Sequence, residues 1–262
     1  FYSCSNLATV TIADGTAPLT IGDRAFAFSA ITRIDLPKRL ESLGENVFNN
    51  CKSLTAVSMA ENIALTVIPK STFNYCSSLT AIKVVEGITE IGDNAFNMCS
   101  ALEKVELPST LKVLGSGVFT SCNSINELTI ADGNKLYTTI DGVLYANNLD
   151  EKPDQLLYCP VSNGGDENNT VNVPATVKTV ATKAFYYNTK IKRIIFADHA
   201  GEDLTIGVNA FGWASALTEV KLPDGITKIG TQAFQNTYIK ELVIPKSVTK
   251  IEYEAFYGSG LL

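Results

Sequence analysis

Charge is scarce in this sequence and nowhere concentrated. Only 18% of the 262 residues are charged, and the 21 Lys and Arg form no basic block within a net charge of −6. The electrostatic footprint of a nucleic-acid binder is therefore missing, and the acidic balance disfavours an anionic membrane surface. No apolar run approaches the roughly 18–20 residues of a membrane-spanning helix. The opening segment FYSCSNLATV lacks the basic-then-apolar order of an export signal. Histidine occurs once, at His199 in FADHAGEDL, beside Asp198 and near Glu202 and Asp203. Nucleophilic catalysis needs a nucleophile oriented by such an imidazole. No serine or cysteine signature accompanies it, so His199 reads as a solvated loop residue. Phosphate-binding loops, dinucleotide fingerprints and paired metal ligands on one helix are also missing. No catalytic residue, cofactor site or metal site is expected.

What is abundant is repetition. Phe26, Phe48, Phe73, Phe96, Phe119, Phe185, Phe211, Phe234 and Phe256 are separated by 22, 25, 23, 23, 66, 26, 23 and 22 residues, and Phe1 fits as a tenth member. Five residues before each internal phenylalanine stands an aliphatic such as Ile21, Ile91 or Ile229. Glycine usually follows it, as at Gly22, Gly44, Gly92, Gly115, Gly207 and Gly230. Eleven residues before the phenylalanine comes Pro37, Pro108, Pro174, Pro223 or Pro245. Five or six residues after it begins an aliphatic triplet such as Leu102-x-x-Val105-x-Leu107. The triplet alternates like a strand with one buried face. Proline then ends the ladder, and glycine permits a bend with positive φ or a close backbone approach. The phenylalanine is the apolar plug of each coil. A unit of about 23 residues cannot bury its own strands, so units must stack into a solenoid.

This pattern resembles the BspA-like leucine-rich repeats of bacterial cell-surface proteins, over nearly the whole chain. The resemblance implies a right-handed, curved, β-dominated α/β solenoid of the horseshoe type, with a strand on the concave side and a short strand or turn on the other. It also implies export to the cell surface and roles in adhesion or host-protein binding. Because Phe1 falls inside a repeat, the sequence is expected to be a piece of a longer one, with any export signal upstream.

Cys4, Cys51, Cys76, Cys99 and Cys122 each lie three residues after a column phenylalanine; only Cys159 is out of phase. Equal positions in adjacent coils stand about 4.8 Å apart with side chains pointing the same way, which is poor geometry for a disulfide. Buried free thiols are expected.

The ruler breaks between Phe119 and Phe185. Two apolar runs, Val143–Tyr145 and Leu156–Tyr158, flank ANNLDEKPDQ and read as a hairpin. VSNGGDENNT follows as a loop, whose Asp166 and Glu167 lack the ordered spacing of a calcium site. Asn168-Asn169-Thr170 matches a glycosylation sequon. The organisation expected is one solenoid over 1–262, with repeat arrays at 1–130 and 171–262 and a modified, hairpin-containing coil at 131–170. The insertion reads as structural, or as a contact site raised above a regular surface.

Outward strand positions present Arg33, Lys83, Lys104, Glu106, Glu127, Glu219 and Lys221, a mixed face suited to an extended partner contact. Tyr186, Tyr187, Trp213, Tyr238, Tyr253 and Tyr257 gather near the C-terminal phenylalanine turns. They either pack between turns or grip a glycan or peptide. The function expected is a non-enzymatic binding or adhesion module for proteins of a host or neighbouring cell. A carbohydrate-binding module or a passive spacer is the alternative.

Overall fold

The computed structural model describes residues 1–161, 163, 165–198 and 203–260. His199 and Glu202 lie outside them. The chain carries the leucine-rich-repeat type of parallel-strand solenoid in two compact units, Phe1–Asn134 and Lys135–Leu262. Among the described residues there is no helix, so the α part of the expected α/β description is corrected: each coil returns by turns and a short strand.

In the first unit the aliphatic triplets form a five-stranded parallel sheet from Arg33–Leu36, Ala56–Met59, Ala81–Lys83, Lys104–Leu107 and Glu127–Ile130. The register advances one coil per strand, as in Arg33↔Ala56 and Lys104↔Glu127. Alternation sets the faces, with Ile34 and Leu36 buried and Arg33 and Asp35 exposed. The column proline then starts a turn, its carbonyl accepting the amide three residues on, as from Leu40 to Pro37 at 3.0 Å. Short second strands such as Val67–Ile68, Glu90–Ile91 and Val113–Leu114 pair in parallel on the return. The second unit repeats this with Thr170–Val173, Arg193–Phe196 and Glu219–Lys221 in one parallel sheet.

The phenylalanines stack. In the first unit, Phe26–Phe48, Phe48–Phe73, Phe73–Phe96 and Phe96–Phe119 have ring centroids 5.6, 5.3, 5.3 and 6.0 Å apart. In the second, Phe185–Phe211, Phe211–Phe234 and Phe234–Phe256 are 4.9, 4.9 and 5.4 Å apart. Nearly parallel rings at these separations are offset stacks, the arrangement the ring quadrupole favours. Eight of the nine are buried; Phe256 is half-buried, because among the described residues only Phe234 stacks on it. Truncating Phe96 to alanine removes a fully buried ring with neighbours on both faces. It is expected to cost about 3–5 kcal/mol in a denaturant-unfolding measurement.

Left-handed backbone falls elsewhere than at the repeat glycines. All of those glycines but Gly22 serve close approach: a Cβ on Gly92 would stand 2.6 Å from the Lys70 nitrogen, and one on Gly115 2.5 Å from that of Asp93. Positive φ belongs to the residues two before and two after each phenylalanine, such as Arg24 and Phe28, Asn46 and Asn50, or Asn94 and Met98. These bends let the amides at both positions, and at the phenylalanine, reach the next coil: Asn46, Phe48 and Asn50 donate to Lys70, Thr72 and Asn74 at 3.1, 2.9 and 2.8 Å. An L-residue in this region is strained by roughly 1–2 kcal/mol. Arg24→Gly at an exposed position is therefore expected to leave stability unchanged or raise it by up to about 1 kcal/mol, read from the unfolding midpoint.

All six cysteines are free, and five are buried, Cys4 being half-buried. They are not merely apolar filler. Cys51, Cys76, Cys99 and Cys122 donate their thiol protons to the carbonyls of Phe26, Phe48, Phe73 and Phe96 one coil back, at 3.1, 3.2, 3.2 and 3.0 Å. Burial pushes the Cys51, Cys76 and Cys122 thiols up, most strongly the last two. Thiolate is the reactive form, so these groups are expected to resist alkylation at neutral pH until unfolding. Cys4 should label first, as site-resolved mass spectrometry would show, and reductant should not lower stability.

The interruption forms a three-stranded antiparallel meander of Tyr137–Ile140, Val143–Asn147 and Pro153–Tyr158. The expected hairpin is its second half. Its last strand then pairs in parallel with Thr179–Val180, so the meander extends the second-strand sheet. Cys159 donates its amide to Ala184 at 2.7 Å, as Phe185 does to Ala210. It therefore takes the place of a column phenylalanine after a corner shortened by two residues, since Leu156 precedes it by three where its register partner Val180 precedes Phe185 by five. At the other end, the triplet Ile239–Ile244 forms no strand. Tyr238 and Lys240 still donate to Leu217 and Thr218, but Val243 is 82% exposed.

Candidate partner-binding surface

The outward residues of the first strands divide between the two units. Register brings Lys104 beside Glu127 and Lys83 beside Glu106. Lys104 contacts both Glu127 at 2.9 Å and Glu106 at 3.2 Å. Arg33 pairs with Asp35 at 2.8 Å, and Asp35 also accepts the Ser58 hydroxyl. The Glu127 and Glu106 carboxylates raise Lys104 above the usual lysine range, while the Arg33 and Ser58 hydrogen bonds lower Asp35. Exposed pairs of this kind add little to stability; their effect is to neutralise the face. In the second unit Glu219 and Lys221 are exposed on one strand, Glu219 in register with Arg193. The Arg193 guanidinium donates to the Thr170 hydroxyl at 3.0 Å.

Lys83 differs from the other cations of the first unit's strand face. Among the described residues no carboxylate lies within ion-pair distance of it, and it lines a groove of about 390 Å³. Val84, Val85 and Leu107 share its lining with Glu61, Glu86, Glu106 and Thr129. Its origin is local. The step from Phe48 to Phe73 is 25 residues, and the Ala56–Met59 strand pairs with Ala81–Lys83 only at Ala56↔Ala81. Asn62 turns the extra chain away with φ 55°. Nearby, Glu86 accepts the amide and hydroxyl of Ser109 at 2.8 and 2.9 Å. Burial pushes its carboxyl up, and the Ser109 and Thr110 hydrogen bonds outweigh that and hold it below its ordinary value. The groove was not read from the sequence, although the long step between Phe48 and Phe73 was its signal.

A second groove of about 330 Å³ separates Glu219–Leu222 from Glu241–Val243, where the last triplet has left the sheet. Of the aromatics, Tyr187 and Trp213 stack on one another at 5.8 Å, whereas Tyr238, Tyr253 and Tyr257 are 61%, 70% and 59% exposed. Asp166 uses one carboxylate oxygen to accept the Asn168 and Thr170 amides and so shapes its own turn. No group of three His, Cys, Asp or Glu among the described residues could hold a metal ion.

Known proteins share the fold. No curated protein matches the chain. The pneumococcal vaccine antigen PcpA is similar in structure, with a TM-score of 0.65 and 26% identity over 92% of this chain and 51% of that one. The chain thus spans about half the length of that antigen. A leucine-rich cell-surface protein of Faecalibacterium prausnitzii A2-165 shares the fold, with a TM-score of 0.57 and 23% identity over 96% of this chain and 77% of that one. The repeat profile described as "BspA type Leucine rich repeat region (6 copies)" matches residues 1–65, 63–151 and 164–262. With its phenylalanine stacks and parallel strands under that profile, the chain belongs to the BspA-type leucine-rich-repeat family.

Proposed function

We propose that the chain is a non-enzymatic binding module displayed at the cell surface or secreted, and that it recognises a protein of a host or neighbouring cell through the strand face of its first unit. The observation that carries this reading is the contrast along that face. Arg33 and Lys104 are already neutralised by neighbouring carboxylates, whereas Lys83 makes no ion pair among the described residues and borders a groove of mixed apolar and acidic lining. A rigid strand face orders little on binding, which favours broad contacts with large partners. The groove gives such a contact a recessed centre, where hot spots concentrate. The descriptions of the neighbours, a pneumococcal vaccine antigen and a cell-surface protein, agree with display outside the cell.

The test is surface plasmon resonance of the chain against a panel of extracellular-matrix proteins. Lys83→Glu, an exposed substitution, is expected to weaken a true partner by about tenfold and leave the melting temperature unchanged. Binding should depend only modestly on salt, because most charges of the face are already paired. Removing the hairpin tip 148–152 should have no effect. If the tip deletion abolishes binding and Lys83→Glu does not, the contact surface belongs to the meander and this assignment fails.

A further inference from the structure

The second unit carries an aromatic cluster that its core does not use. The position two residues after each column phenylalanine has left-handed backbone in every coil, and Ser3, Asn50, Ser121, Asn236 and Gly258 fill it with small or polar residues. Tyr187 and Trp213 take the same backbone, φ 61° and 60°, with bulky rings that remain 43% and 42% exposed. Strained backbone and exposed aromatic surface are both unfavourable, and here they coincide in consecutive coils. In the first unit the aromatics at this position, Phe28 and Tyr75, are separated by Asn50.

Neighbouring residues hold the two rings in place. Tyr187 and Trp213 stack at 5.8 Å with 25° between planes, and Tyr186 meets Tyr187 edge-on at 4.5 Å. Lys183 lies over the Tyr186 ring, 5.2 Å from its centroid. Gly212 makes room for that ring: a Cβ there would stand 3.2 and 3.3 Å from two Tyr186 ring carbons and 2.9 Å from Oδ1 of Asn209. The Asn209 amide bordering the cluster begins a polar row. It donates to Gln232 at 3.4 Å, and Gln232 donates to Glu254 at 2.8 Å. Rings in a preset arrangement thus lie beside two side-chain amides, the second of which is held by a carboxylate.

We propose that Tyr187 and Trp213, with Tyr186 and the Asn209 amide beside them, form a subsite for a neutral pyranose of an oligosaccharide. A pyranose presents an apolar face of C–H bonds that rests on aromatic rings, and a rim of hydroxyls that both donate to and accept from side-chain amides. Lys183 is already placed over Tyr186, which favours a neutral sugar over an acidic one. A stable protein contact needs roughly 800 Å² on each partner, far more than three rings supply, whereas a sugar ring matches them in size. The site is separate from the protein-binding face proposed for the first unit and does not depend on it.

Trp213 is the only tryptophan in the chain, so its emission reports this site alone. The 262-residue chain would be titrated with cellobiose, lactose, mannobiose and chitobiose, following tryptophan fluorescence and saturation-transfer NMR of the sugar. At least one disaccharide is expected to change the emission saturably. Trp213→Ala should weaken its NMR-detected binding by roughly tenfold or more, the loss typical of a central aromatic anchor. Gly212→Ala should weaken it by pushing aside the Asn209 amide and crowding Tyr186 while keeping every aromatic ring. Tyr75→Ala, at the same coil position in the first unit, should leave it unchanged. Circular-dichroism melts of the variants separate lost binding from lost fold, and Gly212→Ala decides the matter if Trp213→Ala unfolds. The proposal is overturned if none of the four sugars binds saturably. It is equally overturned if Trp213→Ala and Gly212→Ala both bind like the parent, or if the cluster proves necessary only for a protein partner.

Discussion

A phenylalanine ring at the centre of one coil has its own backbone around its rim and nothing above or below until neighbouring coils arrive. That geometry makes contact between coils the source of stability, because an unstacked unit would expose its ring and both edges of its strands. Each remaining feature answers the same need. The strand triplets pair coil to coil, the left-handed bends turn amides toward the next coil, and the glycines let its backbone approach. Cysteine thiols bond back to phenylalanine carbonyls. Asn188 serves the same end where cysteine is missing, donating to the Pro160 carbonyl at 2.7 Å, next to Cys159 in the coil before.

This constraint leaves the outward residues free. Nothing in the stack specifies Lys83, Trp213 or the tip of the meander, so binding chemistry can vary on a fixed frame. Where the frame itself departs from its period, surface features result. Two added residues before Phe73 open the groove beside Lys83, and the short corner before Cys159 lets the meander's last strand join the second-strand sheet.

Most of the frame was legible because it rests on residue types that recur. The phenylalanines, strand alternation and turn prolines stand where the spacing puts them, and the cysteines are free for the geometric reason given by their shared position. The left-handed bends were not legible, since Arg24, Asn46, Ser71 and Lys183 have no common side-chain chemistry and are bent by their place in the coil. Cys159 could not be read as a phenylalanine substitute because its second-strand aliphatic, Leu156, precedes it by three residues, where the register partner Val180 precedes Phe185 by five. Tyr137–Ile140 had a signal that went unused: Asp141-Gly142, both with positive φ, is a preferred two-residue hairpin turn. The triplet at Ile239–Ile244 has the right pattern, but among the described residues no further triplet lies beyond it to complete a ladder. For the candidate sites, sequence placed the charged residues at outward strand positions but could not show which were already paired.

Native-state hydrogen exchange tests the stacking account most directly. The amides of Phe48, Phe73 and Phe96, which donate to the next coil at 2.9, 2.8 and 3.1 Å, should exchange among the slowest in the first unit. Protection should be weakest near 241–244, where the last triplet has left its sheet. If those phenylalanine amides exchanged as fast as the exposed hairpin tip 148–152, stacking between coils would not be what holds this chain together.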